Sequence, residues 1–121
     1  MAFKQETQTS TLQSAVSANG NGVAGTVDGF NGAQLVEVVE TNGGTCTIAL
    51  QGSFDGVNWY VLGYQLLDNT AAPARAIANL SVLANTHRVY QVLDPYFQIR
   101  AVVSAVAANP IVTVKVYATG T

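Results

Sequence analysis

The feature that most constrains this chain is a two-residue alternation of apolar and polar side chains, recurring in short segments. In the last of them Val112, Val114 and Val116 alternate with Thr113, Lys115 and Tyr117. Successive strand side chains point to opposite faces, so this pattern describes a half-buried strand and cannot be satisfied by a helix. The same reading predicts strands at Gln34–Glu40, with Val36 and Val38 on one face and Glu37 on the other, and at Thr45–Gln51, where Cys46, Ile48 and Leu50 share a face. Further strands are predicted at Trp59–Tyr64, Arg88–Leu93, Tyr96–Val103 and Ile111–Ala118.

The connections agree. Asn42-Gly43-Gly44 and Asp55-Gly56 supply the positive φ of tight turns and are read as hairpin turns. Asp94-Pro95 and Ala108-Asn109-Pro110 are breaks placed where proline suits a strand start. Six or more strands joined in this way predict an all-β fold, an antiparallel, jelly-roll-like β-sandwich. Residues 1–33, rich in Ser, Thr, Asn and Gly, are expected to hold weak strands preceded by an extended N-terminal arm over 1–14, with one domain spanning 15–121. Residues 68–80, with Pro73, are expected to be a long loop.

At 121 residues there is room for one two-layer core. Charged residues make up only 10% of the chain, against roughly 25% in an ordinary domain. A surface so thinly charged is poorly defended against association, which points to an exterior that meets other protein. With a net charge of −2 and Lys4, Arg75, Arg88, Arg100 and Lys115 scattered, no phosphate-binding face is expected, hence no nucleic-acid partner. Single Cys46 cannot form an internal disulfide and is expected to be buried, consistent with folding in a reducing cytoplasm. The polar start Met-Ala-Phe-Lys-Gln-Glu-Thr lacks the apolar core of a secretory signal, and no run of 18 apolar residues implies a membrane partner. Asn79-Leu80-Ser81 is read as a chance sequon.

Gly20-Asn21-Gly22-Val23-Ala24-Gly25 matches the dinucleotide spacing, but a buried strand does not precede it and Thr26-Val27-Asp28-Gly29 cannot open the helix that would meet a pyrophosphate. It is read as a glycine-rich turn. His87, the one histidine, lies in an alternating run with no nucleophile elbow and no local acid partner. One His and one Cys do not make a zinc site, and the carboxylates follow no calcium-loop spacing. Glu37 and Glu40 fall on opposite faces of one strand, wrong for shared acid–base work, and Asp28, Asp55, Asp68 and Asp94 read as turn residues. The expectation is a non-enzymatic protein with no cofactor, no metal and no catalytic residues. Among the aromatics, Trp59 is expected to pack inside the sandwich with Phe54, while Tyr60 and Tyr64 share the opposite, outward face. Arg100, on a central strand, is expected to be paired.

Taken in order, Gly20-Asn21-Gly22, Gly32-Ala33-Gln34-Leu35-Val36-Glu37-Val38, the run Ile48 to Trp59, Tyr96-Phe97-Gln98-Ile99-Arg100-Ala101 and the closing Val-Thr-Val strand resemble small β-sandwich virion proteins of tailed bacteriophages. The hairpin Ser53-x-Asp55-Gly56-x-x-Trp59 also recurs in discoidin-like and carbohydrate-binding sandwiches. The resemblance covers about residues 15–118 and implies a capsid decoration (cement) protein or a minor head or tail component, acting as a homo-oligomer, commonly a trimer, on the major capsid protein or another virion protein. It implies location in the virion after synthesis in the bacterial cytoplasm. The residues expected to form interfaces are Phe3, Lys4, Gln5, Tyr60, Tyr64 and Arg75, the arm adding a strand to a capsid subunit. The alternative is a carbohydrate-binding or host-adhesion module on a phage tail.

Overall fold

Alternation decides which residues face inward, and in the computed structural model it does so along Gln34–Glu40, Thr45–Ser53 and Val112–Gly120. The structure describes residues 6–27, 30, 32–67, 75–93 and 96–120. Within them the strands are β1 (Glu6–Val16), β2 (Gly25–Thr26), β3 (Gln34–Glu40), β4 (Thr45–Ser53), β5 (Tyr60–Val61), β6 (Tyr64–Leu67), β7 (Arg75–Ala76), β8 (Leu80–Val82), β9 (His87–Val92), β10 (Gln98–Ala107) and β11 (Val112–Gly120). They form a six-stranded sheet in the order β1-β11-β3-β9-β6-β7 and a five-stranded sheet in which β2-β10-β4-β5 run in order and β8 also pairs with β4. All described pairings are antiparallel. The all-β sandwich expected from sequence is the fold observed.

The core lies between the two inner faces. Val36 and Val38 of β3 and Val112, Val114, Val116 and Ala118 of β11 meet Cys46, Ile48 and Leu50 of β4 and Ile99, Ala101 and Val103 of β10. Each fully buried Val, Leu or Ile contributes about 1.5–3 kcal/mol of transfer free energy, so these alternating side chains supply the main stabilising term. Cys46 is buried among them as expected, and burial, then the Glu40 charge, push its thiol pKa up.

Several sequence expectations need correction. The arm is not an arm over Glu6–Ser14, because β1 pairs with β11 from Glu6↔Gly120 through Val16↔Val112. The segment shows no apolar alternation because the backbone ladder holds most of it, while Leu12 alone is driven fully into the core. Met1–Gln5 lie outside the described residues. Asn42-Gly43-Gly44 is a tight turn, with Gly43 at φ 77°, but it is not a hairpin turn, since β3 and β4 belong to different sheets. The predicted strand Trp59–Tyr64 is broken at Leu62-Gly63, where the chain passes from β5 in one sheet to β6 in the other. That crossing turns Tyr64 inward. Within the expected loop at 68–80, Arg75–Ala76 and Leu80 are strand residues, and 68–74 lie outside the described residues, as does Asp94-Pro95.

Two buried polar side chains lock the corners. Glu40, 2% exposed at the end of β3, accepts backbone N–H bonds from Asn42 (2.7 Å), Gly43 (2.9 Å), Asn85 (2.8 Å) and Ile111 (3.0 Å). Desolvation pushes its carboxyl pKa up, but the N–H groups of Asn85, Asn42, Ile111 and Gly43 outweigh it and bring the value down to about 2. One carboxylate thereby ties together three separate chain turns. Gln13, beside the first register shift of β1, donates through Nε2 to the carbonyls of Ala101 (2.6 Å) and Gly20 (3.1 Å), satisfying backbone acceptors of the facing sheet.

Candidate functional site

The end of the sandwich where β4 leaves the sheet carries aromatic side chains held in water by a rigid loop. In Ser53–Asn58 the polar groups satisfy one another. Ser53 Oγ accepts from the N–H of Gly56 (2.8 Å) and Asp55 (3.3 Å). Asp55 Oδ1 accepts from the N–H of Val57 and Asn58 (both 2.8 Å), and Asp55 Oδ2 accepts from Asn58 Nδ2 (2.7 Å). Gly56 supplies the positive φ (76°) that the turn needs. The Asp55 carboxyl is held well below the usual carboxylate range, first by the Asn58 N–H and then by Val57 and the Asn58 amide. Asp55 is therefore the turn residue that its neighbours predicted.

With its hydrogen bonds closed internally, the loop presents apolar atoms outward. Phe54 is 62% exposed and Val57 78%. Phe54 stacks on Tyr96, ring centroids 5.2 Å apart and planes 26° from parallel. Tyr96 lies flat on Gly52, where any side chain would collide with its ring. Phe97, also exposed, donates its N–H to the Ser53 carbonyl (3.0 Å) and accepts from the Val27 N–H (2.9 Å). Tyr60, 56% exposed, pairs directly opposite Gly52. Strand pairing thus brings Phe54, Tyr60, Tyr96 and Phe97, from three separate stretches of sequence, to one end.

Of the residues singled out in the sequence, Tyr60 is at this surface. Tyr64 is not: 7% exposed, it packs edge-on against Tyr90 (5.3 Å) in the core, so it cannot meet a partner. Phe3, Lys4 and Gln5 lie outside the described residues. Arg75 pairs with Gln65 in β7 at the edge of the six-stranded sheet, whereas the aromatic loop follows β4 of the other sheet, and its side chain is outside the described atoms. Trp59 does not fill the core with Phe54. It lies under the Arg100 guanidinium (4.2 Å to the ring centroid), while Arg100 Nε donates to Gln51 Oε1 (2.8 Å). Sequence reasoning missed Phe54, Tyr96 and Phe97 as surface residues; the overlooked signal was their position beside turn residues, since the strand expected from Tyr96 begins only at Gln98.

Sequence also missed an acid for His87. Its Nε2 lies 2.8 Å from Glu37 Oε2, and Tyr117 Oη donates to Glu37 Oε1 (3.0 Å), across three adjacent strands. Burial, then Glu37, push the Tyr117 hydroxyl pKa up. The group lies on the open outer face of the six-stranded sheet, and Glu37 is the only side-chain partner of His87 among the described residues. An exposed pair of this kind contributes little, ~0.2–1 kcal/mol. A cleft of about 170 Å³, lined by Val38, Ser81, Val82, Leu83, Thr86, Arg88 and Tyr90, includes neither His87 nor Glu37. Among the described residues no cluster of three or more His, Cys, Asp or Glu is placed to hold a metal.

No protein-family model and no curated protein sequence matches the chain. Two solved structures share its fold. The SPBc2 prophage-derived protein YomS superposes with a TM-score of 0.72 at 15% identity, covering 99% of this chain and 98% of YomS. The PBSX exported protein XepA superposes with a TM-score of 0.76 at 16% identity, covering 99% of this chain. The chain spans 40% of the length of XepA. At such identities the likeness establishes a common fold, one used by prophage-encoded proteins.

Proposed function

We propose that this protein is a non-enzymatic structural component of a tailed-phage particle, a capsid decoration (cement) protein that seats its aromatic end on a shell protein. The observation that carries the reading is the exposure of Phe54 and Val57 on a loop whose own polar groups are already bonded, with exposed Tyr60 two residues beyond it on β5. Such a loop loses little conformational entropy on docking, and its apolar atoms gain by leaving water. With Phe97, the exposed portions amount to roughly 300–400 Å² of apolar surface, the size at which a patch signals an interaction site. A contact this small is weak singly and becomes effective through many copies on a lattice. The low charge supports the same reading, since few ions need be desolvated at the interface. The prophage origin of YomS and XepA makes a phage setting the natural one for this fold.

The test is co-sedimentation with particles of the encoding phage assembled without this protein. Wild type is expected to bind and to raise the temperature at which particles release DNA. Phe54→Ser/Tyr60→Ser is expected to remain folded and to lose both effects. Equal binding by the double variant removes the aromatic end from the account, and failure of wild type to bind any particle removes the virion role. The carbohydrate-binding alternative uses the same aromatics, but the Trp59 ring that would stack a sugar has Arg100 over one face. Retention on glycan resins with no particle binding would reverse the order.

A further inference from the structure

Among the described residues β1 is the longest strand at a sheet edge. The six-stranded sheet ends in β1 on one side and two-residue β7 on the other, and the outer strands of the second sheet, β2, β5 and β8, are two or three residues long. Short edges are self-protecting, because they offer too few free N–H and C=O groups to recruit a strand. β1 is eleven residues long. Its far side is covered near Leu12, whose carbonyl accepts from the Val23 N–H (2.9 Å). Between Glu6 and Thr11 the register with β11 is unbroken, and no described strand pairs with its other side.

This stretch, Glu-Thr-Gln-Thr-Ser-Thr, carries no lysine and no proline, two of the usual guards of an edge strand. We infer that the Glu6–Thr11 edge of β1 pairs antiparallel with the same edge of a second copy of this chain, about a two-fold axis at Thr9. The self-complementarity is specific. With Thr9 opposite Thr9, Thr7 faces Thr11 and Gln8 faces Ser10, so the outward side chains of both copies form one threonine ladder and the sheet continues into the partner. Centring on a single residue keeps outward opposite outward, whereas a one-residue slip puts the two copies out of phase. The single charge is also placed well: the two Glu6 residues lie about 20 Å apart along the strands, beyond the screening length of physiological salt.

The inference does not rest on the virion role, and its test needs only the purified protein. Light scattering at high micromolar concentration is expected to give twice the chain mass. Thr9→Cys is expected to form a disulfide-linked dimer under mild oxidation, since residues facing each other across an antiparallel pair lie about 4.5–5.5 Å apart at Cα. Thr7→Cys puts its sulfurs about 13 Å apart and is expected to cross-link at least tenfold more slowly. Native Cys46, being buried, does not compete. Thr9→Lys, on the outer face, sets two ammonium groups opposite each other and is expected to weaken the dimer about fivefold with an unchanged circular dichroism spectrum. A monomeric or trimeric wild type, or equal cross-linking at positions 7 and 9, overturns the inference. A monomer whose Thr9→Lys variant loses particle binding would assign the edge to a foreign strand instead.

Discussion

Gly52→Ala tests whether the aromatic end is built as described. A Cβ at Gly52 would lie 2.6 Å from Cε1 of Tyr96 and closer still to Cγ and Cδ1, about 1 Å inside the 3.4 Å at which ordinary contact begins. The ring cannot yield freely, because Tyr96 packs against the core and stacks on Phe54. Overpacking of this kind costs about 1–3 kcal/mol. Alanine restricts the unfolded chain more than glycine and returns about 0.4–1 kcal/mol, leaving a net loss of about 1–2 kcal/mol. For a chain of this length that corresponds to a Tm lower by roughly 3–10 °C. The assay is urea denaturation of wild type, Gly52→Ala, Tyr96→Ala and the double variant. Once the Tyr96 ring is gone, Gly52→Ala should be neutral or slightly stabilising, giving a coupling of about 1–3 kcal/mol between the sites. If Gly52→Ala costs the same with and without the ring, the close approach is not what requires glycine, and the account of this end fails.

Two further predictions concern the corners. Glu40 has its pKa lowered from 4.5 to about 2 in the fold, so its stabilising contribution is complete above about pH 4.5 and is lost as pH falls toward 2. Urea midpoints should fall across that window, and less steeply in Glu40→Gln; parallel acid slopes would contradict the role given to the four N–H bonds. Gln13→Ala leaves the buried Ala101 carbonyl without its side-chain donor and is expected to cost about 1–3 kcal/mol, whereas exposed Gln8→Ala on the same strand should stay within about 0.5 kcal/mol of wild type. Equal denaturation midpoints for the two would refute the bridging role.

Much of the fold was legible because alternation is a local signal. Val112 to Tyr117 and Val36 to Val38 could be assigned inner and outer faces from spacing alone, and the positive φ at Gly43 and Gly56 follows from residue type. β1 was illegible for the converse reason: an edge strand held by its backbone ladder needs no apolar period, and Leu12 alone is too little pattern to detect. The aromatic end was half legible. Asp55-Gly56 announced a turn, but nothing local revealed that Phe54 would leave Trp59 for Tyr96.

Sequence by itself determined the strand class, the inward and outward faces and the turn chemistry, because each depends on residues a few positions apart. Tertiary structure alone decided which strands share a sheet, and with that every long-range partnership: Glu40 with Asn85 and Ile111, Arg100 with Trp59, His87 with Glu37. The physical reason is that a period of two states which way a side chain points and is silent about what it meets. A strand's neighbours are chosen by closure of the whole sandwich, where both inner faces must fill one core and every buried polar group must find its partner.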